Sequence, residues 1–287
     1  MLVESAWKGY KNSWKYKIAA YPDVPKRNNH ALVRLINRAK DKGIPTVFWN
    51  KEDSVHFNRF IDSARHFDHV FTVDENCIPR YKAVMGEDAS VHSLMFAVQP
   101  KFHFFDGFHF KYHRANFVGS YSHHIHDVRR QWQNMAFQTA SNTQLGLTVF
   151  DRNSNRKSDN YRYPPLAHMN VLPAVNYADT AAIYKDYLVS LNVNTITDSN
   201  TMFSRRLVEI LACGGIAVTN SALSVERLFA DFCHVVDDEE EMHALFERLK
   251  HGPSKLDLEK ARAGAEYVAK HHTWQHRLDE IMKVVNR

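Results

Sequence analysis

The chain has 287 residues and is 44% hydrophobic, 24% charged and 12% aromatic, which fits roughly two globular domains and excludes disorder, collagen and coiled coil. Its 37 basic and 32 acidic residues leave a formal charge of +5. Taken as diffuse, that excess does not point to a nucleic-acid groove and suits a basic cleft for phosphate-bearing small molecules.

The pattern predicts a helix from about Ala31 to Lys42, stopped by Gly43, then a buried strand at Ile44–Asn50 (IPTVFWN). A helix near Ser54–Arg65, a strand at His69–Val73, a helix near Asn76–Val84 and a strand at Ser90–Met95 follow. This is the rhythm of a parallel α/β layer. Between Phe96 and Arg114 the rhythm fails, and Pro100, Gly107, aromatics and histidines mark a connector. A strand at Asn116–Gly119, a helix at Asp127–Thr139 and a strand at Gln144–Phe150 restart it, before a polar loop to Pro165. Next come a helix near Asp179–Leu188, a strand at Ser190–Val193, a helix at Met202–Cys213 and a strand at Ile216–Thr219. A short helix at Val225–Phe229, a strand at Cys233–Val236 and helices near Glu239–Lys250, Lys255–His271 and Trp274–Val285 close the chain. Two such units imply a cleft where the carboxyl ends of their strands face each other, the place where open α/β sheets hold ligands.

Three cysteines (Cys77, Cys213, Cys233) without a C-x-x-C pair argue against a disulfide framework and for a reducing compartment. No run nears the ~18 apolar residues of a membrane span, and the first residues lack a secretory signal; a cytoplasmic protein is expected. None of the ten glycines forms a G-x-G or a P-loop, so a nucleotide would need another device.

That device is sought in Ser199–Ser221 (SNTMFSRRLVEILACGGIAVTNS). Met202, Phe203, Leu207, Ile210 and Leu211 form an apolar stripe, while Arg205 and Glu209 lie one turn apart on the polar face. Asp198, Ser199 and Asn200 are N-cap candidates whose helix end would receive an anion, and Gly214-Gly215 stops the helix. An ordinary surface helix with one Arg–Glu pair explains the same spacing.

The stretch R-x-x-E-I-L-A-C-G-G-I-A-V-T-N (Arg205–Asn220) resembles the donor-binding signature of the CgeB-like (spore maturation protein) glycosyltransferases. HTWQHRLDEIM (His272–Met282) is similar to that family's closing helix, and NFVGSYSHHIHDVR (Asn116–Arg129) to the strand opening its donor domain. Leu2–Trp14 and Thr46–Phe60 resemble its N-terminal domain. The resemblance implies an α/β, GT-B-like fold of two Rossmann-like domains facing across a cleft, with the N-terminal domain apparently shortened. It divides the chain into residues 1–112 (acceptor side), 113–271 (donor binding) and 272–287 (closing helix).

It also implies roles. Glu209 would accept hydrogen bonds from the ribose hydroxyls of a UDP- or GDP-type nucleotide sugar, as an acceptor-only carboxylate can. Arg205 would neutralise the diphosphate, whose charge grows as the bond to the sugar breaks. No metal or other cofactor is implied. Related retaining enzymes carry a second glutamate where this chain has Thr201, so stereochemistry does not carry over.

Other candidates come from the residues themselves. Glu52, Asp53 and His56, in the loop after a strand, are candidate general bases for an acceptor hydroxyl; Asp53 or Ser54 simply capping the next helix is the plain alternative. Trp49 stacks on a sugar or sits in the core. Gly119 allows close approach of backbone to the diphosphate, or makes a tight turn. Arg129 and Arg130 add positive charge. His103, His109, His113, His123, His124 and His126 crowd the connector, where zinc ligation is weighed against hinge or surface roles.

The expected function is transfer of a sugar to a hydroxyl on a glycan, cell-surface polymer or protein. A non-catalytic nucleotide- or glycan-binding module is the alternative, and a metal-dependent hydrolase a third. Nucleic acid is not an expected partner. An unpaired parallel edge in the N-terminal sheet suggests a homodimer or a partner completing that sheet.

Overall fold

The computed structural model describes residues 1–286. The chain separates into two compact units. The first is Met1–Phe96 with Ser199–Met202 and the chain from Arg277 on; the second is Ala97–Asp198 with Phe203–His276.

The first unit holds a parallel sheet of β1 (Leu2–Glu4), β2 (Val47–Asn50), β3 (His69–Thr72) and β4 (Ser90–Ser93), paired in that order. The run VFWN of β2 is buried along its whole length, as expected of a parallel strand covered on both faces. Helices α1 (His30–Lys40), α2 (Phe57–Ala64) and α3 (Ile78–Met85) form the crossovers. Leu32, Ile36 and Ala39 of α1 and Phe57, Phe60 and Ala64 of α2 are buried at helical spacing. Trp49 is core: it is buried and its Nε1 donates to Leu94 O at 3.1 Å. α2 starts at Phe57 rather than near Ser54, because residues 51–56 turn on themselves, with His56 N donating to Glu52 O. Neither Asp53 nor Ser54 caps it; the N-cap position is His56, without a side-chain cap.

The second unit is built on six parallel strands: β5 (Tyr112–Gly119), β6 (Leu147–Asp151), β7 (Met169–Pro173), β8 (Tyr187–Leu191), β9 (Ile216–Thr219) and β10 (His234–Val235). Their order is β10-β9-β8-β5-β6-β7. The chain winds outward from β5 to β7, returns to the other side of β5 at β8, and winds out again to β10. That reversal makes β5/β8 the topological switch point of a dinucleotide-type sheet. Helices α4 (Asp127–Asn142), α5 (Thr180–Asp186), α6 (Arg205–Ala212), α7 (Leu223–Leu228), α8 (Glu239–Leu249), α9 (Lys255–His271) and α10 (Trp274–Val285) complete the described chain. Its core gathers Ala115, Phe117, Phe137, Val149, Leu191, Val218 and Phe246.

β7 was not expected. It is an edge strand with four of its five residues exposed, Val171 and Leu172 among them, and it ends in Pro173, whose missing N–H an edge tolerates. The helix near 179–188 is shorter than its pattern suggested, since β8 takes over at Tyr187. No helix among the described residues is long and apolar enough to cross a membrane.

Candidate active site

In the second unit, asparagines tie the carboxyl ends of the strands beside the switch point. Asn116 Nδ2 donates to Ser190 Oγ at 2.7 Å, and Asn192 Nδ2 donates to Thr219 Oγ1 at 2.9 Å. Asn194 N donates to Asn220 Oδ1 at 2.7 Å, and Ser204 N donates to Asn194 Oδ1 at 2.8 Å. The four asparagines are buried. Buried amides need partners; Asn116, within β5, donates across to β8, while Asn192, Asn194 and Asn220 tie the ends of β8 and β9 together, which sets the start of α6.

α6 begins at Arg205 with Ser204 at its N-cap position, not at Met202 behind the Asp198–Asn200 caps. The segment Ser199–Met202 is instead folded with the first unit. Ser199 Oγ accepts from Thr201 N and Met202 N, Asn200 Nδ2 donates to Glu75 Oε1 at 2.7 Å, and Thr201 Oγ1 donates to Val73 O at 3.0 Å. Polar groups of the loop after β3 outcompete the helix for these side chains. At the other end, Gly215 N donates to Ile210 O and Gly214 N to Leu211 O, the paired bonds of a Schellman stop. Gly214 has φ +70°, and a Cβ there would overlap the Phe105 ring.

Glu209 is not on a solvated face. It is 4% exposed, one turn from Arg205, whose Nε lies 2.9 Å from Glu209 Oε1. The contact is an ion pair, not an aligned hydrogen bond, and Oε1 has no hydrogen-bond donor. Burial raises the Glu209 pKa, while the charges of Arg205 and Arg206 and the Tyr177 phenol hold it back. Tyr177 is pushed up to about 12, by burial first and then by the Glu209 charge. The Arg205 guanidinium stands 5.1 Å from the Tyr177 ring centroid, and the His103 ring is 5.0 Å from that of Tyr177. His103 is 1% exposed; its Nε2 meets Thr180 Oγ1 at 2.9 Å and its Nδ1 has no partner. Burial, followed by the charges of Arg205 and Lys185, lowers its pKa to about 4.

The loop after β5 is set by two arginines. Arg206 Nε donates to Val118 O at 2.6 Å and its guanidinium lies 4.6 Å from the Phe117 ring centroid. Arg129 Nη2 donates to Ser120 O at 2.9 Å, and Gln133 Nε2 joins it at 3.2 Å. Burial, then repulsion from Arg206, brings Arg129 to about 10; its Nε has no hydrogen-bond partner. A Cβ on Gly119 would lie 2.7 Å from the Phe117 ring and 2.8 Å from Arg206 Nη2, so glycine is required by packing as well as by any ligand.

In the first unit, Asp53 is 1% exposed at the carboxyl ends of β2 and β3. It accepts from Asn50 Nδ2 (2.7 Å), Thr72 Oγ1 (2.7 Å) and the Tyr81 hydroxyl (2.8 Å). Burial raises its pKa to about 7 against the pull of the Thr72 and Tyr81 donors. Glu52 and His56 are half-buried on the same loop, and the His56 ring packs edge-on to Trp7 with centroids 5.1 Å apart.

The histidines do not converge. His103 is core, His109 approaches Asp106 and Asp186, and His123 contacts Arg162 O. Among the described residues no three His, Cys, Asp or Glu side chains form a metal-ligand group. Sequence reading missed Asn192, Asn194, Arg206 and Tyr177, and weighed His103 only as a zinc ligand or a hinge or surface residue. Asn192 and Asn194 had a signal, two amides directly after a strand; the other two, and the place of His103 beside Tyr177, come from packing that no local pattern encodes.

A family model described as glycosyl transferase-like matches residues 113–283. No curated protein matches the chain. Among solved structures, an α-glucosyltransferase in complex with UDP and a 13-mer DNA containing a central A:G mismatch is 14% identical with a TM-score of 0.62; the match covers 89% of this chain and 75% of that one. WaaG, a glycosyltransferase involved in lipopolysaccharide biosynthesis, is 10% identical with a TM-score of 0.58, over 95% and 86% of the two chains. Sucrose-phosphate synthase from Thermosynechococcus elongatus is 10% identical with a TM-score of 0.53, over 85% and 67%. At these identities the likeness is one of fold, the GT-B class.

Proposed function

Because the chain belongs to the glycosyl transferase-like family, we propose that it moves a sugar from a UDP- or GDP-type nucleotide sugar to a hydroxyl of a glycan, cell-surface polymer or protein. Glycosyl transfer is what the family supports, over a non-catalytic binding module. The CgeB-like branch is our finer placement, on the motif Arg205–Asn220.

The observation that carries the donor site is Glu209: a carboxylate buried in the donor-side unit, its Oε1 ion-paired with Arg205 Nε at 2.9 Å but without an aligned hydrogen bond. A carboxylate is an acceptor-only group, and a vicinal diol would supply the hydrogen bond that Oε1 lacks. In this reading the ribose hydroxyls donate to Glu209 and Arg205 meets the diphosphate. Gly119 ends β5 where Phe117 and Arg206 close in on it, and Arg129 fixes the loop that follows through Ser120. Ser199 and Asn200, folded with the first unit, do not cap α6. On the acceptor side we assign residues 1–112, with Glu52 and His56 as candidate bases and Asp53 positioning their loop. Residues 113–271 are assigned to the donor and 272–287 to closure. We propose metal-independent transfer in the cytoplasm; the three free, buried cysteines support a reducing setting.

The test is a melting-temperature panel of nucleoside diphosphates. A ligand that binds only the native state raises the melting point. UDP or GDP should raise it, Arg205→Ala should abolish the rise, and release of nucleoside diphosphate from the matching sugar donor should vanish in Glu209→Ala. No shift with any nucleotide refutes the reading, and chelator-sensitive turnover refutes metal independence.

A further inference from the structure

The net positive charge is not diffuse. Residues 7–28 (WKGYKNSWKYKIAAYPDVPKRN) contain six of the 37 basic residues and one of the 32 acidic ones. This segment therefore carries the formal +5 of the entire chain, and the remaining residues balance at 31 of each sign. It is the loop that leaves the carboxyl end of β1 and leads to α1.

The loop is built, not trailing. Ile18 and Ala19 are buried, Ser63 Oγ of α2 donates to Ile18 O at 2.6 Å, and Arg59 Nη1 donates to Ala20 O at 3.0 Å. Trp7 packs on both His56 and Phe60, so the loop abuts the segment bearing Glu52 and His56. Lys8, Lys11, Lys15 and Lys17 are all exposed. Two of them act on the Tyr16 phenol together with Arg27: a hydrogen bond from Lys15 and the charges of Lys15, Arg27 and Lys8 draw its pKa below the ordinary value.

We propose that this loop is the docking surface for an anionic glycan polymer, which makes the acceptor a chain carrying charged groups at intervals. The identification of that polymer as acceptor rests on the transferase reading; the binding itself does not. Two other polyanionic partners fit less well. Base stacking needs open ring faces, yet Arg27 lies 4.0 Å from the Tyr16 ring centroid and 5.4 Å from that of Tyr21, Arg59 lies 5.9 Å from that of Tyr21, and Lys11 lies 5.4 Å from that of the exposed Tyr10. Insertion into a lipid surface needs exposed apolar side chains, and Tyr10, 80% exposed, is the one large apolar residue of the loop that offers itself. What remains is a lysine-studded, rigidly tethered surface that attracts a flexible polyanion by charge.

The experiment uses the full chain and labelled dextran sulfate, with neutral dextran, single-stranded DNA of matched charge and phosphatidylglycerol vesicles as comparisons. Wild type should bind dextran sulfate and not neutral dextran, with an affinity that falls steeply between 50 and 200 mM salt, by about tenfold or more if several lysines engage. Reversing charge with K8E/K11E/K15E/K17E should weaken binding at least roughly tenfold and flatten the salt dependence. The neutral set K8Q/K11Q/K15Q/K17Q should fall between, and covers the case in which four reversals unfold the loop. K157E/K255E, in the second unit, should bind as wild type does.

Absence of wild-type binding, or loop-lysine variants that bind no more weakly than K157E/K255E, overturns the proposal. So does tighter binding to DNA or to vesicles than to dextran sulfate. The nucleoside diphosphate shift on the same wild-type preparation separates the two readings. Polymer binding without that shift removes the transferase assignment and leaves the surface; a shift without polymer binding removes the surface alone.

Discussion

Glu209→Gln separates a structural carboxylate from a ligand-binding one, because the two roles predict opposite signs. In the free protein the ion pair contributes little: Arg205 is 46% exposed at its side chain and rehydrates when the charge is removed, so the change in unfolding free energy should stay within about 1 kcal/mol. Neutralising a carboxylate whose pKa is raised by burial also relieves desolvation, which pushes the change toward stabilisation. Binding moves the other way. Hydrogen bonds to a charged group contribute about 1.5–3 kcal/mol, so loss of one from a ribose hydroxyl weakens nucleotide affinity roughly ten- to a hundredfold. At a ligand concentration of 100 times the wild-type Kd, the ligand stabilises wild type by about 2.7 kcal/mol and the variant by about 1.4 to 0.4 kcal/mol. Chemical denaturation with and without UDP or GDP reads both quantities. A variant that keeps the whole ligand increment, or loses several kcal/mol without ligand, refutes the assignment of Glu209 to the donor.

Gly119→Ala should destabilise the second unit by about 1–3 kcal/mol, the range for overpacking, because the new methyl meets Phe117 and Arg206; calorimetry showing less than 0.5 kcal/mol would contradict the close approach drawn from the backbone. Asp53, with its pKa raised to about 7, binds a proton more tightly folded than unfolded, so its contribution is fully present below the unfolded pKa and is lost as pH rises from about 4 through 7. Urea titrations across that window should show wild type losing stability relative to Asp53→Asn, and parallel curves would exclude a buried, proton-holding Asp53.

The strand β9 and helices α8, α9 and α10 were legible because their signals are local: the β-prone run IAVT, Asp238 and Ser254 as N-caps, and long amphipathic repeats. The Gly214-Gly215 stop was legible for the same reason. β7 was not, because its short run MNVLP ends in a proline, which reads against a strand away from a sheet edge, and its place at the edge is set by pairing with β6. The start of α6 was misplaced because Ser199, Asn200 and Thr201 are good caps in isolation but find partners at Val73 and Glu75, far away in sequence. Arg205 and Glu209 were found as a pair, yet their unequal burial depends on Tyr177 and His103, which arrive from other loops. The charge excess was counted correctly but averaged over the chain, which hid its position.

The bond from Thr180 to its neighbour decides what the His103 ring is. Thr180 Oγ1 donates its single proton to Tyr177 O at 2.8 Å, so toward His103 Nε2 it has only a lone pair to offer, and the ring proton must reside on Nε2. One tautomer is thereby selected, and Nδ1 faces the interior as a naked lone pair. Since burial and the charges of Arg205 and Lys185 hold this imidazole's pKa down to about 4, mild acid stress adds no cation at His103 beside Arg205.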